Sequence, residues 1–104
     1  MKKVMVLTIT AVVLLAGISY AKNAYDLYNE AYDLYLVHDY KNAVRLFKDA
    51  IKKKPDFVKP YNKAGLAYVA MKKVDHAIFM YKKAIYIDPN YAESYYNMGV
   101  AYEL

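Results

Sequence analysis

The stretch Tyr61-Asn62-Lys63-Ala64-Gly65-Leu66-Ala67-Tyr68, together with Ala77, Tyr81, Ala84 and Pro89 downstream, decides the fold of this chain. Ala77 and Ala84 are seven residues apart, so they share one face of a helix. Small residues on that face let a neighbouring helix approach closely, and the large Tyr81 fills the gap between turns. Pro89 cannot continue a helix and ends it. The same arrangement occurs 34 residues earlier, where Ala43, Phe47, Ala50 and Pro55 fall on Ala77, Tyr81, Ala84 and Pro89. Upstream of each set the correspondence continues. Leu27 falls on Tyr61 and then Tyr95, Ala31 falls on Gly65 and then Gly99, and Tyr68 falls on Tyr102. A fixed period of this length is the signature of stacked helical units.

The periodicity predicts helices at about 24–36, 40–53, 57–71, 74–87 and 91–104, with Asp39 and Asn90 as N-terminal caps for the second and the last. Each helix pair leaves an apolar side that only the next pair covers, so stacking is obligatory.

The 34-residue period resembles the tetratricopeptide repeat family. The second copy carries the resemblance best, at Tyr61, Ala64-Gly65, Tyr68, Ala77, Tyr81, Ala84 and Pro89. The first copy is more degenerate, with Leu27, Ala31, Leu34, Ala43, Phe47, Ala50 and Pro55. The third begins with Tyr95, Met98-Gly99 and Tyr102. The resemblance implies an all-α fold, a right-handed alpha-alpha superhelix. It would hold two full helix-turn-helix repeats (about 24–57 and 58–91) and the first helix of a third (92–104). It also implies a protein-binding module. One fold serves many partners, so the site must be argued separately.

Composition agrees with helices. Hydrophobic residues make up 59% of the 104, too many for a disordered chain, and three Gly and three Pro are too few for a many-stranded sandwich. Residues 1–21 read as an address rather than structure. Met1-Lys2-Lys3 is a positive start, Val4 to Ile18 is uncharged and apolar, and Ser19-Tyr20-Ala21 ends small-x-small. Cleavage would release a chain starting at Lys22 into the periplasm or beyond. Retention would leave residues 4–21 as an anchor in the cytoplasmic membrane. The net charge is +5, and Lys2 and Lys3 contribute two of it, so the remainder is too mildly basic to argue for nucleic acid.

Catalytic machinery is hard to assemble from these residues. Cys is absent, which removes thiolate nucleophiles, thiolate metal sites and disulfides. Ser94 is the one hydroxyl outside Tyr after the signal. His38 and His76 fall at different places in their repeats, and each adjoins an Asp that points elsewhere on a helix. His38 occupies the turn where the family usually has Gly. No glycine-rich phosphate loop occurs. The chain reads as a non-enzyme with no metal or cofactor.

Three surfaces remain. Lys41, Arg45, Lys48 and Lys52 form one basic stripe, read as a solvated face or as a contact for anionic headgroups or an acidic partner. Phe79 and Tyr86 point outward beside Lys82 and Lys83. In the first helix, Leu27, Ala31 and Leu34 form a core wedge, and Asp26, Asn29, Glu30 and Asp33 form a wet one. Tyr25, Tyr28, Tyr32 and Tyr35 lie between them, with Leu36 beside them.

In the family this third wedge lines the concave groove. Carried onto the second repeat it gives Lys59, Asn62, Leu66 and Val69. On the third it gives Glu93, Tyr96, Val100 and Glu103. The resemblance therefore implies a protein-binding groove of Tyr25, Tyr28, Tyr32, Tyr35, Asn62, Leu66, Val69, Tyr96 and Val100, aromatic at one end and aliphatic towards the middle. Family members that clamp the acidic tails of chaperones use Lys, Arg and Asn in this wall, where this chain has Tyr28 and Tyr32. The expected partner is a protein or peptide segment. An alternative is a self-associating module or a piece of a longer array, since the last helix carries Tyr95, Tyr96, Met98, Val100 and Leu104 rather than a polar cap.

Overall fold

A computed structural model describes residues 21–104; the export segment expected at 1–21 lies outside them, apart from Ala21. The described residues form helices α1 (Ala24–Leu36), α2 (Tyr40–Lys53), α3 (Val58–Ala70), α4 (Val74–Ile87) and α5 (Ala92–Tyr102), and no strand occurs among them. The expected boundaries hold to within a residue, except that α5 stops at Tyr102.

Each helix packs on the next, and α1, α3 and α5 also touch in succession, whereas the backbones of α2 and α4 stay apart, with no Cα pair within 8 Å. The first helix of each repeat therefore lies on the inside of a curve, and the second helices splay apart on the outside. This is the solenoid that the small-residue pattern demanded. Ala43, Ala50, Ala77 and Ala84 are wholly buried, as are Ala31 and Ala64 across from them. Phe47 and Tyr81 are the large side chains buried between them.

Gly65 shows why a glycine stands in the middle of α3 despite its helix penalty. A Cβ there would fall 2.7 Å from Cζ and 2.8 Å from Cδ1 of Tyr81, with Cε1 nearer still. At the matching Gly99, no atom comes within 4 Å of the same position. Among the described residues, no second helix crosses α5 as α4 crosses α3.

The helix ends follow local chemistry. Asp39 caps α2 as expected, accepting from the Asn42 N–H at 3.4 Å. Asn90 does not cap α5. The helix begins after Tyr91 with no side-chain cap, and the Asn90 N–H instead donates to Asp88 Oδ1 at 3.1 Å. Tyr91 occupies the cap position, so Asn90 stands one residue too early for its side chain to cap the helix. A capping box not foreseen from the sequence closes α1. The Asn23 side-chain Oδ1 accepts from the Asp26 N–H at 2.8 Å, and Asp26 Oδ2 accepts from the Asn23 N–H at 3.4 Å.

His38 and Lys72, one period apart, end the first helices at φ 65° and 63°. That left-handed residue lets the Asp39 and Lys73 N–H groups reach back to Leu34 and Tyr68 at 2.9 and 2.8 Å. Those bonds satisfy carbonyls that the helix end would orphan.

Candidate functional site

The tyrosines of α1 stand in a ladder. Tyr28 and Tyr32 stack with ring centroids 6.3 Å apart, and Tyr32 and Tyr35 with centroids 6.2 Å apart. Helical spacing of three and four residues puts them in line, and the neighbouring helices hold them there. Tyr28 leans on Phe47 of α2 at 5.7 Å and on Phe57, before α3, at 5.3 Å. Tyr25 packs on the same Phe57 at 4.9 Å, while Tyr35 meets Tyr40 edge-on at 5.6 Å. Tyr28, Tyr32 and Tyr35 are thus half-buried, one side fixed and the other open, and Tyr25 is more exposed.

The second repeat adds a cation to this wall. Lys63 Nζ sits 5.4 Å from the Tyr32 ring centroid and 3.5 Å from the Glu93 carboxylate of α5. One side chain therefore joins α1, α3 and α5. Behind it, Asn97 donates to Asn62 Oδ1 at 3.1 Å. Asn62 was expected on the groove wall but is completely buried. The packing of α5 against α3 covers it, so it lies beneath the surface that a ligand would touch. Leu66 and Val69 are half-buried on α3, and Tyr96 and Val100 are exposed on α5.

Sequence reasoning missed Lys63 and Asn97. Each stands one residue after an expected groove position. The only available signal was that adjacency, since the turn of the solenoid decides which sector of each helix faces inward.

The hydroxyls in this region hold their protons. Burial raises the Tyr28 pKa above the ordinary 10.0, helped by Tyr32 and by the charge of Glu93. Burial raises Tyr35 likewise, with Tyr40 and Tyr32 adding to it. Tyr91 is pushed up to about 12 by burial first, then by its own hydrogen bond to Glu93 at 3.1 Å and that carboxylate's charge.

A raised tyrosine pKa means that the fold favours the neutral form. Its stabilising effect is complete below pH 10 and disappears as pH rises towards 12. Thermal melts followed by circular dichroism should therefore hold steady up to about pH 9 and fall steeply between about pH 10 and 12. Tyr91→Phe should make that fall shallower, and an unchanged alkaline limb would mean that other groups set it.

Residues 65–104 match the sequence model of the TPR repeat. The crystal structure of MamA superposes with a TM-score of 0.76 at 30% identity, over 78% of this chain and 47% of that one. The described fold is that of tetratricopeptide repeats. The chain spans about half the length of the MamA chain it matches. The TPR2B domain of yeast Sti1, in its pHsp70 complex, superposes with a TM-score of 0.73 at 27% identity, over 75% of this chain and 62% of that one. The second TPR of Spaghetti, bound to an HSP90 peptide, shares the fold with a TM-score of 0.76 at 17% identity, over 79% of this chain and 76% of that one. A search of curated proteins returned no significant match.

Proposed function

We propose that the chain is an adaptor that docks an extended, largely apolar segment of another protein along the tyrosine ladder of its concave wall. The carrying observation is the stack of Tyr28, Tyr32 and Tyr35, with Tyr28 braced by Phe47 and Phe57, Tyr35 by Tyr40, and all three partly exposed. Rings already held in place lose little freedom on binding, which favours affinity. Their neutral hydroxyls can donate to peptide carbonyls while the ring faces cover apolar side chains. The peptide complexes of the yeast Sti1 and Spaghetti domains support a peptide-binding use of this fold.

An acidic tail fits this wall less well. Lys63 on this wall already faces Glu93, and Asn62 is completely buried beneath the surface a tail would touch. Exported residence follows from the reading of residues 1–21, and intact mass of the natural protein tests it: a chain beginning at Lys22 is the expected result. The exposed apolar side chains on and just after α5, Tyr96, Val100 and Leu104 among them, suit a further helix or a second copy.

A partner captured from the envelope fraction and identified by mass spectrometry supplies the ligand for the test. Tyr28→Ala or Tyr32→Ala should each weaken its binding by about thirtyfold, the loss of roughly 2 kcal/mol typical of an aromatic anchor. Lys48→Glu, on the outer side, should leave that affinity nearly intact. Loss in the lysine variant with none in the tyrosine variants would place the interface on the convex face and overturn the groove reading.

A further inference from the structure

We propose that the convex side carries a second, separate site: a trough between α2 and α4 that takes an acidic segment bearing apolar side chains. Because the backbones of α2 and α4 stay apart, the outer seam of the solenoid is left open over α3. Two pockets occupy it, of about 310 Å³ and about 300 Å³, and they share Lys48, Phe79 and Met80 as walls. They are therefore compartments of one trough. Its floor is apolar and aromatic. Tyr68 and His76 line one compartment, their rings 5.1 Å apart, and Tyr61 and Ile51 line the other.

The rim is cationic. Lys48 and Lys52 stand on the α2 side and Lys83 on the α4 side, with Asp75 as the acidic residue at one end. Lys48 lies 5.6 Å from the Tyr68 ring centroid, and Lys83 lies 5.4 Å from that of Phe79. None of these three lysines belongs to an ion pair among the described residues. On the concave wall, Lys63 is already engaged by Glu93.

Complementarity therefore calls for a partner with carboxylates at the rim and apolar side chains in the pockets. Phe79, 59% exposed between the compartments, would be covered by such a partner. The recessed shape separates this occupant from a bilayer. A flat layer of anionic headgroups would reach the lysines but would leave the pockets empty.

The test uses a short labelled peptide of alternating Glu and Leu and fluorescence anisotropy with the full chain, read beside polyglutamate and phosphatidylglycerol vesicles. The Glu-Leu peptide should bind the wild type, and polyglutamate of equal length should bind it much less well. Lys48→Glu combined with Lys83→Glu, both on exposed side chains, should weaken it by tenfold or more, and Phe79→Ala should weaken it at unchanged salt dependence. Tyr28→Ala and Tyr32→Ala should have no effect, so failure here is distinguishable from failure of the concave groove. No binding, equal binding of polyglutamate, indifference to the double charge reversal, sensitivity to the tyrosine variants, or vesicle binding in place of peptide binding would each overturn the proposal.

Discussion

Tyr81→Ala should cost about 3–5 kcal/mol of stability, while Tyr81→Phe should be neutral or stabilising by about 1 kcal/mol. The ring is wholly buried between α3 and α4, so truncation leaves a cavity that two packed helices cannot close. The hydroxyl has no hydrogen-bond partner within the described residues, and an unpartnered buried hydroxyl is a cost rather than a gain. Burial also raises its pKa, with Tyr35 and Glu93 adding to the shift, so it remains protonated. The position one period earlier, Phe47, fills the same role without a hydroxyl and is equally buried. Urea unfolding of the three proteins decides the matter. A large loss in Tyr81→Phe would mean that the hydroxyl has a partner, such as an internal water, which the packing requires.

Gly65→Ala and Gly99→Ala, the same substitution at matched repeat positions, should have opposite signs. At Gly65 the new methyl runs into a ring that is itself packed on all sides, and overpacking of this kind costs about 1–3 kcal/mol. That exceeds the helix propensity of roughly 1 kcal/mol that alanine would add. At Gly99 nothing opposes the methyl, so only the propensity gain is left and the melting temperature should rise. Because the Gly65 clash is with Tyr81 alone among the nearest atoms, the pair should be strongly non-additive. Gly65→Ala added to Tyr81→Ala should cost little or even help, since the methyl then enters vacated space. Additive losses in that double variant would refute the clash as the cause.

These core effects bear on the groove. Tyr28 rests on Phe47, and the ladder continues from Tyr28 to Tyr32 and Tyr35. A cavity beneath the second helix of a repeat therefore loosens the very rings proposed to grip a peptide, and binding and stability should be measured in parallel. The convex trough depends on the splay of α2 and α4 instead, so the two surfaces should respond differently to loosening of the first repeat.

Much of this architecture was legible in one dimension. The seven-residue spacing of Ala43 with Ala50, and of Ala77 with Ala84, needs only helical geometry to become a close-packed face. Pro55 and Pro89 each stand just past a helix end. The wedge of Tyr25, Tyr28, Tyr32 and Tyr35 follows from angular position on one helix; Tyr28, Tyr32 and Tyr35 stack along it, and Tyr25 packs on Phe57. These are local consequences of backbone geometry, so they do not depend on which neighbour arrives. What only the tertiary structure decided is whatever depends on a second helix. Asn62 has the angular position of a groove residue but is buried because α5 packs over it. Lys63 joins three helices although nothing in its local sequence marks it. Lys48 and Phe79 belong to different helices and share a trough because their helices splay. Gly65 and Gly99 look alike in the repeat, and the presence of Tyr81 above one of them makes the difference. Exposure, pairing and steric room belong to the space between elements, and a chain sets that space only when its repeats turn against one another.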